Sequence, residues 1–174
     1  MIFPLFRRRP RTIAALYGMI VAQARLPVFY QIYGVPDTLD GRFELVLLHL
    51  FVVLRYLDGD EKDREMGQQL FDLFCQDMDQ NLREMGVGDL SVPKEMRRIG
   101  EAFYGRASVY EAALASPNVE ALRAALTRNV YGSESPEHEG ARRLAHYMMD
   151  VVAAASKQSG GALQRGTVQF PVPA

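Results

Sequence analysis

The chain has 174 residues, of which 48% are hydrophobic and 24% charged, with a net charge of −1. This balance excludes a disordered chain, and the length suffices for one domain around a single core. The near-zero charge excludes a global field that draws a protein to DNA.

Charge is unevenly placed along the chain. Residues 1–36 contain Arg7, Arg8, Arg9, Arg11 and Arg25 and no acid, a head of +5 on a body of −6. Such a head suits an anionic phospholipid surface or RNA, and serves equally as a solvated arm. Arg7–Arg11, the apolar run Ile13–Ala22 and then Ala22-Gln23-Ala24 follow the order of a secretory signal, but the run is too short to span a bilayer. The favoured reading is an amphipathic first helix, from Thr12 to about Arg25 and ended by Pro27. A lead-in of Phe3, Leu5, Phe6 and the arginines precedes it and can rest on an anionic surface. Ile13, Leu16, Tyr17, Ile20 and Ala24 form its apolar stripe.

Val28–Val35 is aromatic-rich, with Phe29, Tyr30 and Tyr33, and reads as a short turn closed by Gly34 and Pro36. Asp37 is the expected cap of the next helix, which runs to about Leu57. Leu45–Leu54 of that helix is apolar except for His49, which predicts burial on several sides. A third helix, from about Glu61 to Met85, carries the stripe Met66, Leu70, Phe71, Phe74, Met78, Leu82, Met85. It includes the single cysteine, Cys75, as a small core residue.

Gly86 and Gly88 are positioned to end this helix in the left-handed conformation, and Ser91 with Pro93 starts a fourth, Val92–Ala115. Gly100 and Gly105 lie inside the fourth helix, where each costs roughly 1 kcal/mol against alanine. This predicts close approach by another backbone or a partner. Ser116-Pro117 and Ser135-Pro136 start two more helices, and Gly132 stops the first of them. Residues 159–174 have no helical period and read as a flexible tail. The expected architecture is all-α: a basic arm over 1–11, one compact domain of about six helices over 12–158, and the tail.

Candidate chemistry is sparse. Asp72, Asp77 and Asp79 are acid-rich enough to suggest Mg²⁺, but Asp77 and Asp79 point about 200° apart on a helix and do not converge. His138 and His146 lack the four-residue spacing that chelates a metal, and His49 reads as a core histidine bonded to a neighbour. Gly86-Val87-Gly88 follows no strand, and Asp89 repels phosphate. No catalytic, metal or cofactor residue is expected. The exposed face of the fourth helix, with Arg97, Arg98, Glu101 and Tyr104, is either a partner surface or a salt-bridged solvated face.

Several of these strings resemble the ubiquinol–cytochrome c chaperone family. They are Gly34-Val35-Pro36-Asp37-Thr38-Leu39-Asp40-Gly41-Arg42-Phe43-Glu44, then Leu48-His49-Leu50, then Asp77 through Arg106 almost throughout. The resemblance runs from about Leu16 to Leu126 and is to the shorter, alphaproteobacterial type. It implies an all-helical, non-catalytic assembly factor for respiratory complex III that needs no cofactor. It also implies, from the mitochondrial members, a chaperone that binds newly made cytochrome b, works with a small partner protein and sits near the ribosome exit. A cytoplasmic site, peripheral to the inner membrane, follows by analogy.

A chaperone for transmembrane helices requires an apolar or aromatic groove with a polar rim. The expected client-binding residues are Phe29, Tyr30, Tyr33, Phe103, Tyr104 and Arg106, with Arg97 and Arg98 as rim charge. Membrane or ribosome contact is expected from Phe3, Phe6, Arg7, Arg8, Arg9 and Arg11. The alternative is a peripheral membrane or ribosome tether that uses this arm.

Overall fold

The computed structural model describes residues 11–115, 119–133, 138–157 and 160–173. They form eight helices and, among the described residues, no strand. The helices are α1 (Arg11–Ala24), α2 (Pro27–Gln31), α3 (Leu39–Tyr56), α4 (Glu61–Glu84), α5 (Val92–Ala115), α6 (Val119–Tyr131), α7 (Glu139–Lys157) and α8 (Gly160–Gln164). The two helices beyond the expected six are the five-residue pieces α2 and α8. Phe3, Phe6, Arg7, Arg8 and Arg9 lie outside the described residues.

The architecture follows from α3. Leu45, Leu47, Leu48, Leu50, Val52 and Val53 are each at most 2% exposed, and together they occupy most of the helix circumference. Accordingly α1, α4, α6 and α7 all pack against α3, while α5 lies on α4 and α6. Residues Arg11–Gln31 are long and apolar enough to pass for a membrane span. In the fold, however, Ile13, Leu16, Ile20 and Ala24 of α1 are buried in the core, and the helix breaks before Pro27.

Local chemistry sets the helix ends. Thr38, not Asp37, caps α3, its hydroxyl oxygen accepting from the Gly41 N–H at 3.1 Å. Asp37 instead pairs with Arg42 at 2.7 Å. Asp60 caps α4 by accepting from the Asp63 N–H, and Glu61 and Asp63 suit the positive end of the helix. α4 ends at Gly86, φ 86°, where Gly86 N–H donates to Arg83 O and Val87 N–H to Leu82 O. That pair of bonds is the Schellman arrangement, which needs a left-handed residue at Gly86. Gly88 takes no positive φ.

Three further sequence expectations are corrected. Residues 160–173 are not a loose tail. Leu163 and Val168 are at most 8% exposed, and Phe170 packs edge-on to His49 at 5.2 Å. These three apolar side chains close over α3 and α7, and a second Schellman turn at Gly166 aims the chain back onto the core. Their spacing fits neither helix nor strand, so periodicity could not register them.

The second correction concerns Gly100 and Gly105, and applies to the expected approach of another backbone of this chain. A Cβ at either would meet nothing within 4 Å. The most crowded glycines are Gly41 and Gly140, where a Cβ would fall 2.0 Å from the carbonyl oxygens of Pro36 and Tyr33 respectively. The third is Cys75, which is half-buried at the edge of the core and not inside it; burial pushes its thiol pKa up.

His49 is fully buried. Its Nδ1 lies 2.7 Å from Leu45 O, a pure acceptor, so Nδ1 carries the proton. Nε2 then accepts from the Tyr147 hydroxyl at 2.9 Å, and the Tyr147 oxygen accepts from Gln23 Nε2 at 2.9 Å. The chain of bonds fits a neutral imidazole, and burial pushes its pKa down to about 4.

Two predictions follow from these environments. Gly41→Ala or Gly140→Ala should cost at least about 3 kcal/mol, because backbone would have to move. Gly105→Ala should stabilise by up to about 1 kcal/mol, raising Tm by roughly 2–4 °C. Denaturant unfolding of the three variants checks this. The folded pKa of His49 lies below its unfolded value, so the unfolded state takes up the proton first. Its contribution to stability is therefore full above pH 6.5 and declines as pH falls towards about 4, by up to roughly 3 kcal/mol. The stability advantage of the native chain over His49→Gln should shrink across that window in thermal melts.

Candidate functional site

The expected client-binding residues separate into two groups. Phe29, Tyr33 and Phe103 are 0%, 3% and 6% exposed and belong to the core. Phe29 packs edge-on to Tyr33 at 5.5 Å and Tyr147 at 5.0 Å, around the His49 hydrogen bonds. Phe103 packs on Phe71 at 5.0 Å and Phe74 at 6.4 Å. Aromatic character alone does not distinguish a groove from a core, and here it marked the core.

Arg106, expected among the client-binding residues, is engaged within the fold. Its Nε donates to Glu44 Oε2 at 2.6 Å and its Nη2 to Glu44 Oε1, a bidentate pair that ties α5 to α3. Glu44 is 5% exposed. Burial pushes its carboxyl pKa above the ordinary value, against the opposing pull of Arg106. Arg97 and Arg98 are exposed and pair with Glu101 and Glu95 along α5. Tyr104 is exposed and rests against Phe71 at 5.8 Å. Tyr30 is half-buried and donates its hydroxyl proton to Ala24 O at 2.8 Å. Arg11 is exposed at the start of α1. The structure thus does not bring these residues to one surface.

A different surface is assembled from the apolar stripe of α4. Leu70 and Phe74 of that stripe are buried, but Met78 and Leu82 are only half-buried and Met85 is 53% exposed. The stripe continues past the point where the core covers it. Alongside it lie Tyr17 and Val21 of α1, Leu39, Phe43 and Val46 of α3, and Ile99 of α5, enclosing a groove of about 490 Å³. Leu39 is 69% exposed, a large apolar side chain in the first turn of α3. Full burial of one such side chain is worth roughly 1.5–3 kcal/mol. The driving force for covering this surface therefore remains available to a partner.

The rim is polar: Arg25, Asp40, Arg42, Asp77, Asn81 and Glu84. Arg42 is taken up by Asp37. Asp77 accepts from the Tyr17 hydroxyl at 2.7 Å, which joins the α1 and α4 walls. Among the described residues no group of three His, Cys, Asp or Glu side chains is placed to hold a metal ion. An apolar floor with hydrogen-bonding edges can bind an apolar segment. The sequence signal for this groove was the unbroken α4 stripe, longer than the core needed.

The groove's α3, α4 and α5 walls coincide with sequence shared with known proteins. The description "Ubiquinol-cytochrome C chaperone" matches residues 31–170. The chain belongs to that family. The match includes the packed residues 160–170 and stops short of α1. The "Ubiquinol-cytochrome-c reductase complex assembly factor 1" of Xenopus laevis is 26% identical over 139 residues, covering 78% of this chain and 69% of that protein. The crystal structure of the Cbp3 homolog from Brucella abortus superposes with a TM-score of 0.84 at 37% identity, covering 99% of this chain and 97% of the other. The family is thus one of chaperones and assembly factors for complex III, and its fold is the all-helical one described above.

Removing Arg106 should leave the Glu44 carboxylate buried without its partner. Arg106→Ala is expected to cost roughly 3–5 kcal/mol in urea unfolding, whereas Arg97→Ala, at an exposed pair, should cost under about 1 kcal/mol.

Proposed function

We propose that this chain is a non-catalytic chaperone that holds newly made cytochrome b until complex III assembles, with the α1–α3–α4–α5 groove as the seat for the client. The observation that carries this reading is the half-covered α4 stripe, Met78, Leu82 and Met85, opposite the exposed Leu39. Soluble monomers rarely expose large contiguous apolar surface, while a protein that shields a membrane-spanning segment requires it. The names of the family and of the Xenopus relative support the complex III context. On this reading the protein works in the cytoplasm, peripheral to the inner membrane. A ribosome exit contact and a small partner protein are carried over by family analogy.

The test uses exposed positions so that the fold is retained. Cells carrying Leu39→Asp with Met85→Asp should lose cytochrome b and complex III activity nearly as fully as a deletion strain, with the variant's Tm unchanged. Wild-type cytochrome b levels in the deletion strain would overturn the reading.

The second reading, a membrane or ribosome tether, rests on the +5 charge of residues 1–36. Replacing Arg7, Arg8, Arg9 and Arg11 by serine separates the two. A tether loses co-sedimentation with anionic liposomes or ribosomes and all function with it, while a chaperone retains client binding.

A further inference from the structure

The rim of the groove is not neutral. Asp40 stands in the first turn of α3, Asp77 and Glu84 on the last two turns of α4, and all three border the apolar floor. Among the described residues no lysine or arginine forms an ion pair with any of them, although Arg83 beside Glu84 pairs with Asp79 and Asp89. Arg42, the rim cation of α3, is neutralised by Asp37, which leaves Arg25 as the opposing charge. Among the described residues, three acids against one unpaired cation on the rim give the edge a negative potential over an apolar floor.

That combination selects its occupant. A purely apolar helix gains nothing from acids at the edge, and an acidic segment is repelled. An apolar helix flanked by lysine or arginine satisfies both parts of the surface at once. The ends of transmembrane helices that remain on the side of synthesis carry this excess of lysine and arginine.

We infer that the groove recognises the basic, membrane-proximal end of an apolar client helix, with Asp40 and Glu84 reading the flanking positive charge and Leu39, Met78, Leu82 and Met85 holding the apolar face. This rests on the reading of the groove as the client seat and adds what the seat discriminates. The polarity of the discrimination is the new content: the same apolar helix with acidic flanks is rejected.

The test uses the full chain and two labelled peptides of about 16 residues, roughly 24 Å of helix, with one apolar core and either lysine or glutamate flanks. Fluorescence anisotropy at low salt should show the lysine-flanked peptide binding roughly three- to ten-fold more tightly. The difference should collapse in high salt and in Asp40→Asn/Glu84→Gln, whose substitutions are nearly isosteric and solvent-exposed. Met85→Asp should weaken both peptides.

Equal affinity for the two peptides would overturn the inference and leave the chaperone reading to its own test in cells. Binding indifferent to Met85→Asp would overturn it as well, by moving the seat elsewhere. A rise in affinity for both peptides when Arg7, Arg8 and Arg9 are replaced by serine would assign the groove to the chain's own basic head instead. Conversely, a lysine preference confirmed in vitro alongside normal cytochrome b in the deletion strain would leave the inference standing and the chaperone reading overturned.

Discussion

A helix that is apolar around its whole circumference cannot be stable at a surface, and this one requirement organises the molecule. The middle of α3 demands cover on every side, and α1, α4, α6 and α7 supply it. Cover has to reconcile the few polar groups caught inside. His49 does so by donating to its own helix and accepting from Tyr147 on α7, which in turn accepts from Gln23 on α1. Glu44 does so through Arg106 on α5. Each buried polar group on α3 therefore names a neighbouring helix, so the polar bonds specify which helix packs where while the apolar burial drives the packing.

The same constraint explains why the groove exists. α4 is long enough to cover α3 with its first half and to continue beyond it. Its apolar stripe does not stop where the cover is complete. The second half, from Met78 onward, meets the C-terminal part of α1 and the first turns of α3, which enclose it only partly. Core and candidate site are thus two stretches of one stripe, distinguished by how many neighbours each half has. A sequence stripe reports that a face is apolar; it does not report whether the molecule covers that face itself.

This distinction accounts for what could be read in advance. Helix ends were legible because their chemistry is local: Pro27, Gly34, Gly86 and Gly132 act on the residues beside them. The burial of α3 was legible because no amphipathic arrangement of Leu45–Leu54 exists. The fate of Phe29, Tyr33 and Phe103 was not, since an aromatic residue suits a core as well as a groove and only the tertiary neighbours decide. The pairing of Arg106 was not legible, because its partner, Glu44, lies 62 residues earlier in the chain. Gly41 and Gly140 gave no local sign either, as the carbonyls that crowd them come from residues outside their helices. The packing of Phe170 on His49 was hidden for the same reason.

The hydrogen bond between Tyr17 and Asp77 carries a further consequence. It ties α1 to α4 across the groove, so the two walls hold their spacing when nothing lies between them. An occupant then has less to order between the α1 and α4 walls as it enters, which lowers the entropy lost on association. Charge at a solvated edge acts chiefly on the rate of encounter, and apolar contact on the duration of the complex. In this groove these two quantities are set by different residues, so speed of capture and time to release can be tuned independently of each other.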